Sequence, residues 1–186
     1  ATALASTPGA LPAGWASSDV GAVSGSGTSG GAGGNFTVSG AGADIWGSND
    51  AFRFTHRTLT GDGSITARVT GVPNTSVWAK AGVMVRGSLA ANAPFVMAFV
   101  TPRRGVNVQS RASAGAGAVE NSQTTGVTAP YWVRITRTGN TVTAAWSADG
   151  LTWTAAAPIA IVGGADWSPC AAHHFASFAS RIGLPV

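Results

Sequence analysis

One cysteine, one lysine and one glutamate stand in the 186 residues, and only 10% of positions are charged. A lone Cys170 excludes an intrachain disulfide and any thiolate metal cluster. Charge this sparse, against about 25% in ordinary globular chains, leaves a surface of small, hydroxylated and apolar groups. Its net value of +4 rests almost wholly on arginine. No run of basic residues exceeds Arg103-Arg104, so the clusters that phosphate tracking needs are missing and nucleic acid is not the expected partner. Scattered arginines suit an anionic glycan better. No apolar run approaches the ~20 residues of a membrane span, and no stretch carries ten residues of helical period with caps.

What is present is β structure. Hydrophobic content of 45% and seven tryptophans can bury a core, and the length suits one domain. Ala1–Pro12, small residues with two prolines, reads as a tether or processed tail, with the domain spanning 13–186. Trp15–Gly21 is the first ordered segment expected, with Trp15 docking on a sheet. Ser24–Gly34, nearly all Gly, Ser, Thr and Ala, reads as a flexible loop. Alternating strands are predicted at Asn35–Ser39, Ala51–His56, Ser64–Val69 and Val106–Arg111, and a strand buried on both faces at Phe95–Val100. The Gly139-Asn140 and Asp149-Gly150 dipeptides suit primed two-residue hairpin turns. Counting outward from the second makes Trp146 and Trp153 direct cross-strand partners in the core, with Val133, Ile135, Val142 and Ala144 on their face. Many short strands, glycine-rich turns and no helices predict an all-β, two-sheet antiparallel sandwich.

The most informative stretch is Trp78–Arg86. Period two puts Ala79, Ala81, Val83 and Val85 on a core face and Lys80, Gly82, Met84 and Arg86 on the other. With neighbouring strands, that second face is expected to collect Arg53, Arg68, Lys80, Met84, Arg86, Asn107, Gln109 and Arg111. Such a row can hydrogen-bond sugar hydroxyls or pair with carboxylates. The alternative is a structural network in which these cations pair with Asp44, Asp50 and Asp62. Trp46, Trp78 and Trp132 are the aromatics least accounted for by the core pattern, and an exposed ring beside polar groups can stack on a pyranose.

Leu11–Trp15, Gly42–Gly47, Leu59–Gly63, Trp78–Arg86 and Ser147–Trp153 occur in an order that resembles concanavalin A-like jelly-roll modules, in particular a family grouped with the β-xylosidase C-terminal lectin-like domains. The resemblance implies a jelly roll with a curved face, an extracellular address and an accessory carbohydrate-binding role in a secreted bacterial protein. Calcium enters by that fold analogy alone; no Asp/Asn cluster points to it, and no metal or other cofactor is expected. The chain departs from the family after Gly163-Gly164. Asp166–Phe175 lacks the closing motif, and Pro169 is awkward in a strand, so either the last strand is degenerate or a sheet edge is left for another chain.

Other chemistry is thin. His173 and His174, adjacent on a strand, would point to opposite faces and make a poor metal pair. Asp44 and Glu120 could form a glycosidase pair, but Glu120 is expected in a Gly/Ala-rich loop, preceded by Ala112–Ala118, without the burial and strand support that tune catalytic carboxylates. The expected ligand site is therefore noncatalytic: Trp46, Arg53, Trp78, Lys80, Arg86, Asn107, Gln109 and Arg111, taking a polysaccharide or glycan. The competing readings are a self-associating extracellular structural module that uses an uncovered sheet edge, and a polysaccharide hydrolase or lyase.

Overall fold

The computed structural model describes residues 9–161 and the backbone of a last strand, His173–Ser180. Most of the expected N-terminal tether and the segment holding Pro169 and Cys170 lie outside the described residues. Strands are numbered in chain order. A seven-stranded antiparallel sheet runs β1 (Ala16–Val20), β6 (Phe52–Leu59), β16 (His173–Ser180), β8 (Lys80–Arg86), β9 (Phe95–Val100), β10 (Val106–Arg111), β11 (Val119–Thr124). A five-stranded sheet runs β14 (Thr154–Ala155), β13 (Thr141–Ser147), β12 (Tyr131–Thr138), β7 (Gly63–Val69), with β15 (Ile159–Ala160) also on β13. Two short ribbons, β2 (Thr28–Ala32) with β3 (Asn35–Ser39) and β4 (Ile45–Trp46) with β5 (Asn49–Asp50), complete an all-β sandwich. Among the described residues no helix is long and apolar enough to cross a membrane.

The two faces of the large sheet fill differently. Val83, Val85, Val96, Ala98, Val100, Val106 and Val108 meet Val133, Ile135, Val142, Ala144 and Trp146 of the small sheet, forming the main core. On the other face Val20, Phe52, Phe54, Met84, Phe95, Met97 and Phe99 form a second apolar layer, covered by Ile45 of the β4–β5 ribbon and by Ala118, just before β11. The alternation expected over Trp78–Arg86 therefore holds from Lys80 onward, but both of its faces are interior.

Several expectations change. The Gly-rich stretch is a hairpin, because Thr28–Ala32 pairs residue for residue with Asn35–Ser39. Small residues with Thr28 as the one β-branched side chain gave no strand signal, yet backbone pairing needs none. Gly9, in the expected tether, accepts the Gly31 N–H at 3.2 Å, and Trp15 docks on Phe36 with ring centroids 4.7 Å apart. The closing strand is present: β16 pairs with β6 on one side and β8 on the other, so the large sheet is continuous there. Its ends are β1 and β11.

The Gly139-Asn140 hairpin forms as predicted, with Thr138 opposite Thr141. The next one does not: Trp146 faces Thr154, not Trp153. The Asp149 carboxylate accepts the N–H groups of Leu151 and Thr152, both at 2.8 Å, and the Ser147 hydroxyl at 2.9 Å, so side-chain bonds organise a loop longer than two residues. Trp153 consequently leaves the core for the outer face, where Arg134 stacks 3.7 Å above its ring. Trp132 packs against Gly150 on the same side, leaving no room for a Cβ there.

Those donors, the Thr152 amide foremost, then the Leu151 amide and the Ser147 hydroxyl, hold Asp149 at about 2, below its ordinary 3.8. A depressed carboxylate contributes stability that is fully present above the unfolded value and lost as pH falls through the folded one. An NMR titration should place the Asp149 midpoint near 2, with the Leu151 and Thr152 amide signals moving in step about the same midpoint. A midpoint near 4 would mean that these bonds do not form in solution.

Candidate binding cleft

The second face of the large sheet carries three cations. Arg86 and Arg111, at the same end of β8 and β10, are completely buried. Asp50 lies between them: its Oδ2 accepts from Arg86 Nη1 at 3.2 Å and Arg111 Nη1 at 2.9 Å, and its Oδ1 accepts from Arg111 Nη2 at 2.7 Å. The remaining donors go to backbone carbonyls, Arg86 to Ser88 and Ala90, and Arg111 to Gly47, Ala93 and Ala116. Arg86 lies over Phe52 and Phe54 at 5.1 and 5.8 Å, and Arg111 over Phe95 at 4.9 Å. Burial pulls Arg86 down to about 10, partly offset by Asp50, so its guanidinium stays protonated at neutral pH. Both arginines are thus a sealed anchor for three loops and do not reach a ligand, because their donors and stacking faces are already used inside.

Lys80 is also buried, 2% exposed. Its Nζ donates to Asp44 Oδ1 at 2.8 Å, the Ile45 carbonyl at 2.8 Å and Gln109 Oε1 at 3.2 Å. An ammonium has three N–H bonds, and these partners account for all three. Lys80 is therefore a floor group that orients its neighbours rather than a donor to a ligand. Because an ammonium can only donate, Gln109 must turn its Oε1 inward, which directs its NH2 away from Lys80.

Above this floor is a cleft of about 370 Å³ lined by Asp44, Trp46, Trp78, Lys80, Gln109 and Glu120. Trp46, on the β4–β5 ribbon, is 44% exposed, and Lys80 Nζ lies 5.9 Å from its ring centre. Trp78 precedes β8 and has Arg104 5.2 Å from its ring centre. Glu120 comes from β11, and a register shift brings it here: Val108 opposes Ser122, but Gln109 opposes Glu120, passing over Asn121. A bulge of this kind re-aims side chains; regular pairing would have set Asn121 opposite Gln109.

The expected site residues separate accordingly. Trp46, Trp78, Lys80 and Gln109 come together at one cleft, while Arg86 and Arg111 form the sealed anchor. Asn107 is on the same face but buried, its amide held by the carbonyl of Arg104 at 3.1 Å. Arg53 is on the opposite face from Lys80: Phe52 and Phe54 share the face of Arg86, so the intervening Arg53 points away, to Asp19 at 3.2 Å, Ser17 and Ser29. Arg68 belongs to the small sheet, exposed opposite Trp132. Asp62 joins no cation network; it accepts the Gly139 N–H at 2.7 Å. The carboxylates Asp44 and Glu120, set aside in the sequence as binding residues, line the cleft, and Glu120 is on a strand rather than in a loop. Being the only glutamate was the one signal that marked it.

Among the described residues no three His, Cys, Asp or Glu side chains cluster as metal ligands. No protein-family model matches the chain, and no protein of curated function is similar to it.

Proposed function

We propose that this is a noncatalytic carbohydrate-binding module of a secreted protein, and that it holds a glycan at the cleft between Trp46 and Trp78. The observation that carries the reading is two partly exposed indole rings beside an amide and a carboxylate, in a space at the small end of ligand pockets (roughly 300–1,000 Å³). Flat apolar faces suit the C–H face of a sugar ring, and the polar groups between them suit its hydroxyls. The resemblance of the strand Trp78–Arg86 and its flanking motifs to lectin-like jelly rolls supports the same role.

Asp44 and Glu120 also form a carboxylate pair, yet binding is favoured over hydrolysis. Asp44 Oδ1 is engaged by Lys80 and by the Ile45 N–H. Glu120 is exposed on a sheet-edge strand, not in the apolar pocket that a general acid needs. A reducing-sugar assay on the polysaccharides tested for binding should stay at background.

Affinity electrophoresis through polysaccharide-loaded gels tests the reading. Removing a ring that covers roughly 60 Å² of sugar at roughly 25 cal/mol per Å² costs about 1.5 kcal/mol, or about tenfold in affinity. Trp78→Ala and Trp46→Ala should each lose retention by about that factor while keeping the wild-type melting temperature within a few degrees. Unretarded migration of the wild-type protein on every polysaccharide would refute the assignment.

A further inference from the structure

We propose that the cleft selects uncharged glycans and rejects carboxylated or sulfated ones, with Glu120 as the residue that sets the selection. This rests on the carbohydrate-binding reading above and reverses the anionic preference that the arginine-rich composition suggests. The three cations that the large sheet sets on this face are all committed. Arg86 and Arg111 share Asp50 in a completely buried cluster, and Lys80 spends its three N–H bonds on Asp44, Ile45 and Gln109.

Counting the charged lining residues, Asp44 and Glu120 contribute −2 and Lys80 contributes +1, so the cleft carries −1 although the whole chain carries +4. Arg104 lies outside this lining, exposed and 5.2 Å from the Trp78 ring, which is inside the ~8 Å screening distance at physiological salt. The acidic character therefore belongs to the Gln109–Glu120 side of the cleft and not to the Trp78 rim.

Two polar groups remain for a ligand. Gln109 offers the NH2 that Lys80 leaves over, and Glu120, directly across the strand pair, offers carboxylate oxygens. A donor beside an acceptor matches two neighbouring hydroxyls of a pyranose, one accepting from the amide and one donating to the carboxylate. A sugar carboxylate or sulfate can only accept, so it would satisfy Gln109 and confront Glu120. The bulge that passes over Asn121 creates this pairing; without it Glu120 would leave the cleft face.

The probes are matched soluble polymers with one backbone, hydroxyethyl cellulose and carboxymethyl cellulose, together with galactomannan and polygalacturonate, in affinity gels at 0.15 M salt. At that ionic strength charges more than about 8 Å from the cleft are largely screened. Retention on a neutral polymer is expected, with the carboxylated polymers at least roughly tenfold weaker, the scale of one like-charge contact near a protein surface. Glu120→Gln keeps an acceptor oxygen and removes the charge, so the neutral-to-acidic ratio should fall by about the same factor. Stronger retention on the acidic polymers, or an unchanged ratio in Glu120→Gln, overturns the selection while leaving carbohydrate binding intact. Retention on none of the four overturns both.

Discussion

Asp50→Ala should destabilise the protein by about 3–5 kcal/mol, lowering its melting temperature by roughly 6–20 °C for a chain of this size. The carboxylate is the single anion between two guanidiniums that have no contact with solvent. Removing one partner of a buried pair is costly because the other is left as an uncompensated charge, and here two are left. Water cannot reach Arg86 or Arg111 without opening the layer of Phe52, Phe54 and Phe95 on which they lie. Such opening would also release the carbonyls of Gly47, Ser88, Ala90, Ala93 and Ala116, so the three segments that carry them would loosen together. Asp50→Asn, which keeps the shape and loses the charge, should recover only a small part. Urea unfolding of the three proteins checks this. A loss below 1 kcal/mol in Asp50→Ala would mean that the cluster is hydrated in solution and that the arginines are open to a ligand.

The same cluster explains what could and could not be read beforehand. The sandwich and most of its strands were legible because period-two alternation and turn dipeptides are local signals, as the Gly139-Asn140 hairpin illustrates. That Lys80 and Arg86 share a face was legible for the same reason. Whether that face meets solvent was not, because the residues that roof it, Ile45, Asp50 and Ala118, come from segments whose position is set by tertiary contacts. Arg53 went to the wrong face because alternation fixes orientation within a strand, while the phase between β6 and β8 depends on β16, far away in sequence. Glu120 escaped because a bulge breaks the count of two at Asn121. Asp149 shows the complementary error, in which a carboxylate that accepts from Ser147, Leu151 and Thr152 outweighs the preference of Asp-Gly for a tight turn.

Gly82→Ala should be nearly as damaging as loss of Asp50, about 3 kcal/mol or more, although it adds a single methyl group. In the middle of β8, a Cβ at this position would fall 2.1 Å from the Ala98 carbonyl oxygen, 2.6 Å from the Phe99 Cα and 2.9 Å from the Phe99 Cβ. Two of those atoms are backbone and cannot rotate away. β8 is held between β9 and β16 in the large sheet, so relief requires separating strands rather than turning a side chain. Gly82 pairs with Phe99, and Lys80 Nζ lies 5.2 Å from the centre of that ring. Displacing Phe99 therefore also disturbs the lysine that orients Asp44 and Gln109, and the cleft floor moves with the core. Gly71→Ala is the matched control. A Cβ there meets nothing within 4 Å and its backbone is not left-handed, so it should be neutral or stabilising by up to about 1 kcal/mol. Urea midpoints that fall equally in both variants would show a general cost of replacing glycine; a fall confined to Gly82→Ala locates the cost in the approach of β9 to β8.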